Sequence, residues 1–346
     1  MEMVATAPTQ TGPGEIGDWA ARAERIGYDS IHISETIHDP FTVAAFALQR
    51  TTRLIVRTSM VVAFPRSPMI TAYATWDLAK YSGGRFQLGI ASQVRGNIVG
   101  RFSTEWSEPV VRLGDYIGAL RAIFRCFQTG AELDYAGPHY RFDRLQPYFN
   151  PGPLEQPTPQ IWTGAVNTRM CIMAGELADG FVCHPTASHP VVLRAHTLPA
   201  LAEGASHADR GGRPLSVIAN PQPIMAPTRE GVEALREARR SESAFLYSTP
   251  AYRRQLEYFG LGDVGVALSA MAKRGEWDDL PRHLTDEVVN RIVPHGTYDD
   301  IGDVLSEWYS GLCTGMTLQL PADDHHDEQL ARLIARCHQI PARGVT

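Results

Sequence analysis

Residues 53–68 read RLIVRTSMVVAFPRSP, and this stretch decides the fold. From Leu54 to Phe64 it is almost continuously apolar and rich in β-branched residues. Such a run is too short to cross a bilayer and suits a strand buried on both faces. Pro65 and Pro68 end it, because proline donates no ladder hydrogen bond. The segment that follows, MITAYATWDLAKYSGG, carries apolar residues at helical spacing and stops at Gly83-Gly84. Residues 85–90 then read as the next strand. Strand, loop, helix, glycine turn and strand make a βαβ unit. Its first loop lies at the carboxyl end of a buried parallel strand and is expected to form the floor of an active site.

Upstream, residues 3–7 fit a short first strand and Gly12-Pro13-Gly14 a loop. Residues 15–26 predict a helix with Ile16, Trp19, Ala20 and Ala23 on one face, closed by Gly27. Residues 30–34, SIHIS, are a second strand, 35–40 its loop and 41–49 a second helix. Downstream, 91–108 is a long polar connection. Pro109 opens an amphipathic helix to about Thr129, with Val110, Leu113, Ile117, Leu120 and Phe124 on one side. Residues 130–159 are rich in proline and aromatics, an excursion of a length that often has a binding role.

The alternation then resumes. Residues 160–164 are a fifth strand, 168–178 its helix, and 181–183 a sixth strand. Residues 190–208 are helical, with Pro199 expected to kink or split the helix. Residues 215–225 are a seventh strand. Residues 229–292 hold no convincing strand and read as a helical insertion. His295-Gly296-Thr297 leads into a helix over 300–310, 315–320 is an eighth strand, and 327–338 a closing helix. Eight strands alternating with helices predict the α/β class and a (β/α)8 TIM barrel. A single domain over 1–346 is expected, with the excursion at about 130–159 and the insertion at about 229–292.

Composition narrows the function. The chain has 346 residues, 44% of them hydrophobic, and a net charge of -6, which argues against a nucleic-acid surface. The five cysteines, at 126, 171, 183, 313 and 337, show no ligand-like spacing and fit buried thiols in a reducing compartment. The amino terminus, MEMVATAPTQTGPGE, has neither a basic nor a long apolar signal region, and no run approaches membrane-spanning length. A cytoplasmic protein with a small-molecule substrate, and neither nucleic-acid nor membrane partners, is expected.

The loop SETIHDPF, the turn AFPRSP, the segment YSGGRFQLGIASQ and the later ADGFVCHP together resemble the bacterial luciferase-like flavin and deazaflavin oxidoreductases. The resemblance is to the branch dependent on coenzyme F420, the 8-hydroxy-5-deazaflavin, and covers essentially the whole chain. It implies a (β/α)8 barrel with the cofactor across the carboxyl ends of the strands, and a homodimer. It also implies a bulge against the ring at the end of strand three, built on Ser59, Met60 and Val61. The Ser59-Met60 bond there is cis in many relatives and trans in an ordinary strand. The cofactor's tail would lie on Ala91-Ser92-Gln93 with Asn97, and on Val166-Asn167-Thr168-Arg169.

A helix amino terminus favours a phosphate through its unpaired N–H groups and dipole, and Arg169 adds a charge. Asn167 or Thr168 serving only as a helix cap is an equal reading. The chain departs from the deazaflavin sugar-phosphate dehydrogenases at two points. Thr36 follows Glu35 where they have histidine, and Val94 stands where they have glutamate. Removing hydride from an alcohol needs a base for the hydroxyl proton, so sugar dehydrogenation is not expected.

Glu35, Thr36 and His38 sit at the end of strand two and in its loop, where barrel enzymes place catalytic groups. His38 is the candidate proton donor, since its charge changes near neutral pH. A loop histidine with a local hydrogen bond is the competing reading. Phe64, Trp106 and His184 are candidate walls of the substrate pocket, with Phe102, Tyr148 and Phe149 of the same kind.

Gly260-Leu261-Gly262-Asp263-Val264-Gly265 matches GxGxxG but follows a helix-like segment, so it reads as an interhelical turn. Residues 323–327, DDHHD, read as a solvated helix start, and no metal is expected. No GxSxG, HExxH or Walker A motif occurs. The expected activity is hydride transfer between reduced F420 and a small organic acceptor with an activated C=C or C=N bond. An FMN-dependent, oxygen-using monooxygenase is the alternative cofactor reading, and a non-catalytic ligand-binding barrel the alternative of another class.

Overall fold

The computed structural model describes residues 1–208, 210–249 and 256–346, and the chain divides into two compact units. One comprises residues 4–182, 200–217 and 345–346. It holds most of β1 (Glu2–Thr6), then β2 (Ser30–Ile33), β3 (Ile55–Thr58), β4 (Val61–Val62) and β5 (Phe86–Ala91). A small antiparallel hairpin, β6 (Tyr135–Ala136) and β7 (Arg141–Phe142), precedes β8 (Ile161–Thr163) and β9 (Gly180–Val182). β1, β2, β3, β5, β8 and β9 pair in parallel one after another, and β4 continues β3 along β5. Ile31, Val56 and Leu88, on neighbouring strands, are fully buried. Each such side chain contributes roughly 1.5–3 kcal/mol of hydrophobic stabilisation.

The helices between these strands start and stop where local chemistry dictates. Asp39 accepts from the Thr42 N–H to cap Pro40–Arg50, and Ser67 accepts from the Met69 N–H to cap Pro68–Ser82. Both helices carry proline in the first turn, where its missing N–H costs nothing. The helix Pro109–Thr129 has the predicted bounds and closes on Gly130 in the left-handed conformation.

The second unit comprises residues 1–3, 183–199 and 218–344. Its strands are the end of β10 (Ser216–Ala219), β11 (Ile224–Ala226), β12 (His295–Thr297) and β13 (Gly315–Thr317). β10 and β13 pair in parallel, as do β11 and β12. The insertion forms the helices Arg229–Ser248, Gly262–Arg274 and Asp286–Ile292 and the 3-10 segment Trp277–His283. They close over an apolar core that includes Ala244, Leu268, Leu284 and Val289 together with Ile224 and Ala226 of β11. In chain order β1, β2, β3 with β4, β5, β8, β9, β10 and β13 alternate with helices as in a (β/α)8 barrel.

Several elements differ from the sequence reading. The strand expected over 54–64 is interrupted after Thr58, where the Ser59-Met60 peptide is cis, and resumes as β4. The strand expected over 215–225 is two strands. Pro221 and Pro223 donate no ladder hydrogen bond and Gln222 is left-handed, with φ 47, so the ladder breaks and β11 leaves to pair with β12. Residues 295–297, read as a lead-in to a helix, are that partner. The polar connection 91–108 contains the short helix Arg95–Gly100. Over 190–206 a π-turn, Leu193–Thr197, precedes Pro199, a bulge that accommodates the proline inside Leu198–Ser206. The segment 252–259 expected before the GxGxxG turn lies partly outside the described residues. Gly262 opens the helix Gly262–Arg274, and the described residues before it, 256–261, include no strand. All five cysteines are buried thiols outside any disulfide. Among the described residues no helix is long and apolar enough to cross a membrane, and no cluster has the makings of a metal site.

Candidate active site

The carboxyl ends of β2, β4 and β5 bound a slot of about 220 Å³. Ser34 and Glu35 form one side, residues 59–62 the floor, and Ala91 and Gln93 the other side. Consecutive residues after β2 clamp the floor. The Ser34 hydroxyl donates to the Ser59 carbonyl oxygen at 2.8 Å. The Glu35 carboxylate accepts from the Val62 N–H at 2.7 Å and from Arg66 Nη1 at 2.9 Å on each oxygen. Its side chain is only 6% exposed, and that of Arg66 20%. Arg66 also donates to the Val62 carbonyl and to Asp39, the cap of the next helix. Charge-assisted bonds of this kind each contribute about 1.5–3 kcal/mol.

Glycines make room for the floor. A Cβ on Gly89 would overlap the Thr58 carbonyl oxygen and stand 2.8 Å from Met60 Sδ. A Cβ on Gly164 would stand 2.7 Å from the Val182 carbonyl oxygen and 3.3 Å from Met60 Cε. The Met60 thioether therefore rests in a cradle that only hydrogen side chains leave open. Thr58 Oγ1 locks the same contact by donating to the Gly89 carbonyl at 2.9 Å and accepting from its N–H at 2.8 Å.

Below the floor lies a polar layer that the sequence reading missed. Arg57, 1% exposed, donates to Gln87 Oε1 at 2.8 Å and sits 3.7 Å above the Trp162 ring. Its Nη1 lies 2.9 Å from His32 Nε2. A guanidinium only donates, so His32 Nε2 accepts and the ring is neutral. Burial, reinforced by the Arg57 charge, holds the His32 pKa well below the ordinary imidazole range. The available signal was strand register: His32 pairs with Arg57 and Arg57 with Gln87, so the three project to one face.

The other sequence-derived candidates fall as follows. Thr36 and His38 line a small pocket beside the loop after β1, with the His38 ring packed over Gly12. The Thr36 carbonyl accepts from Arg101. Ser92 donates to the Gln93 carbonyl, and Asn97 lies half-buried in the helix Arg95–Gly100. Asn167 caps Thr168–Leu177 by accepting from the Met170 N–H at 2.9 Å. Val166, Thr168 and Arg169 are exposed at that helix start. Phe64 is buried between the Trp106 ring, 6.0 Å away, and the Arg112 guanidinium, 4.4 Å away. His184 belongs to the other unit, where its Nδ1 lies 2.7 Å from Thr186 Oγ1 and caps the turn Pro185–Ala187. Tyr148 is 90% exposed. The residues brought together around the slot are thus Glu35, Ser59, Met60 and Val61, joined by Ser34 and by Gln93, which the resemblance had assigned with Ser92 to the tail and which lines the slot instead.

Residues 2–315 match the family described as luciferase-like monooxygenase, so the chain belongs to that family, an oxidoreductase family. An uncharacterized protein of Mycobacterium tuberculosis is 35% identical over 295 residues, 85% of this chain and 86% of that one. An F420-dependent glucose-6-phosphate dehydrogenase of Amycolatopsis mediterranei is 29% identical over 216 residues, 58% of this chain and 62% of that one. The solved coenzyme F420-dependent tetrahydromethanopterin reductase of Methanopyrus kandleri superposes with a TM-score of 0.75 at 17% identity, covering 98% of each chain. That likeness establishes the fold, the luciferase-like (β/α)8 barrel.

Proposed function

We propose that the protein is an F420-dependent oxidoreductase that transfers hydride between the reduced deazaflavin and a small organic acceptor. The observation that carries this reading is the slot at the strand ends. Its floor is a ledge of residues 59–62, with Val61 and Val62 buried and Ser59 and Met60 half-buried, and Glu35, its one ionisable lining residue among those described, is turned into the protein. A flat ring with a neutral face suits such a ledge. The reduced ring would supply the hydride; the chain supplies orientation and exclusion of water. The relationship to an F420-dependent dehydrogenase supports the choice of cofactor.

In this reading Ser59, Met60 and Val61 carry the ring, with Ser34, Glu35 and Arg66 as positioning residues that hold the ledge. Ser92 and Asn97 on one side, and residues 166–169 on the other, receive the anionic tail. At the second place the Asn167 side chain is spent on capping, so the contribution falls to Arg169 and the helix start. Thr36 and His38 are assigned no chemical step, because both line the neighbouring pocket. A homodimer belongs to the proposal through the family resemblance alone.

Titrating the purified protein separately with F420 and with FMN tests the reading. F420 binding without oxygen uptake supports it. FMN-dependent oxygen uptake replaces it with the monooxygenase reading. Affinity for neither leaves a non-catalytic barrel.

A further inference from the structure

Every polar side chain lining the slot is committed within the protein except two. The Ser34 hydroxyl is given to the Ser59 carbonyl, and the Glu35 carboxylate to Val62 and Arg66. The Ser59 hydroxyl and the NH2 of the Gln93 carboxamide remain. Gln93 is the more fixed of the two. Its Oε1 accepts from the Val94 N–H at 2.9 Å, which settles which end of the amide is oxygen and leaves Nε2 as the open donor of this slot-lining residue. Its backbone is left-handed, with φ 59, a conformation shared among the described non-glycine residues only by Ser103 and Gln222. Holding an L-residue there costs about 1–2 kcal/mol that glycine would avoid. Such outliers gather where a side chain is needed in a set place.

The chemistry of the lining narrows what Nε2 meets. Among the described residues no cation lines the slot, so a phosphate or carboxylate finds no counter-charge from them there. No lining group is a free acid either, since Glu35 only accepts. An acceptor whose nitrogen must be protonated by the protein would find no donor of that kind. A neutral carbonyl oxygen needs only a hydrogen bond.

Resting on the functional reading above, we infer that Gln93 Nε2 holds the carbonyl oxygen of an α,β-unsaturated ketone or aldehyde. In the step, hydride from the reduced cofactor forms a C–H bond at the β-carbon. The C=C pair shifts toward the carbonyl oxygen, where Gln93 stabilises the negative charge. A proton from water then completes the α-carbon, the C=C bond is reduced to C–C, and the cofactor is oxidised by two electrons. Gln93 is in this sense a catalytic residue, and the substrate class is the conjugated enone or enal.

The test uses cyclohex-2-en-1-one as probe, with Q93E and Q93G. Glutamate keeps the shape but replaces the donor by an acceptor, and glycine suits the left-handed backbone. Calorimetric titration of the probe into protein loaded with oxidised F420 reads binding without turnover. Fluorescence titration reads the Kd for F420, and steady-state rates with reduced F420 read KM and kcat. Both variants are expected to raise the probe's Kd and KM about tenfold, the loss of one hydrogen bond, and to lower kcat, with the F420 Kd within about twofold of wild type by the same accounting. An unchanged probe Kd and KM in both variants overturns the assignment. A loss that appears in the F420 Kd instead places the bond on the ring's own carbonyl edge and overturns the substrate role. Wild-type protein that binds F420 but not the probe overturns the substrate class. Failure to bind F420 at all overturns the functional reading, and this inference with it.

Discussion

Replacing Glu35 by glutamine strikes the clamp on the slot floor at its ion pair with Arg66. In the native protein both carboxylate oxygens receive Arg66 Nη1, and Oε2 also receives the Val62 N–H. Glutamine keeps one oxygen. If that oxygen stays on Val62 it still accepts from Arg66 Nη1, but the amide NH2 takes the place of the other oxygen and faces the guanidinium, donor against donor. One charge-assisted bond is lost at about 1.5–3 kcal/mol, and the buried donor adds a desolvation cost of about 1–3 kcal/mol. The floor residues 60–62 are then free to shift. F420 affinity should fall at least about tenfold, because 1.4 kcal/mol is a factor of ten. The melting temperature should fall by a few degrees, since about 1 kcal/mol shifts a large domain by roughly 2–4 °C. Fluorescence titration and a thermal melt read the two effects, and E35D, which keeps the charge, should recover part of the affinity. A lowered melting temperature with wild-type F420 affinity would refute the reasoning: the clamp would then hold the fold and not the site.

Three further expectations follow from the same geometry. Gly89→Ala should fail to fold or lose F420 binding, because its Cβ would overlap the Thr58 carbonyl oxygen and crowd Met60 Sδ. Overpacking against backbone costs about 1–3 kcal/mol or more, and a variant with native stability and affinity would show the cradle to be pliable. Asn97→Ala and Arg169→Ala should each weaken F420 more than a tail-less deazaflavin. Equal affinities in both variants for both compounds remove the tail assignment. The pH dependence is signed by His32 and His189, both kept neutral by burial, the latter with its pKa pushed down to about 4. A base whose folded pKa is depressed contributes stability that is whole above its unfolded value of about 6.5 and declines as pH falls below it. Melting temperature should therefore drop between pH 6.5 and 4, and His32→Gln should flatten that slope; an unchanged slope excludes His32 as its source.

The fold was legible because it rests on periodic burial. The apolar run 54–64, the amphipathic helix 109–129 and the strand–helix alternation each reflect a local repeat that water enforces along the chain. Some ends of elements were legible for a similar reason: Gly27, Gly83 and Pro109 act on their own neighbours. β11 and β12 were not, since three-residue strands carry no period and were fixed by finding each other.

The candidate site divides along the same line. Glu35 was reached from sequence because strand ends in parallel α/β folds collect functional groups, and Ser59 and Met60 only through the resemblance to the luciferase-like family. What each of them does was settled by residues far away in the chain. Glu35 became an anchor through Val62 and Arg66, Met60 found its place between Gly89 and Gly164, and His38 was carried to a neighbouring pocket by its packing over Gly12. Arg57 gave no local sign that it would lie over Trp162 with His32 at its side. Hydrophobic periodicity is a property of one segment and can be read from it. The partner of a carboxylate, an amide or a guanidinium is a matter of angstroms between segments, and only the closed chain sets that distance.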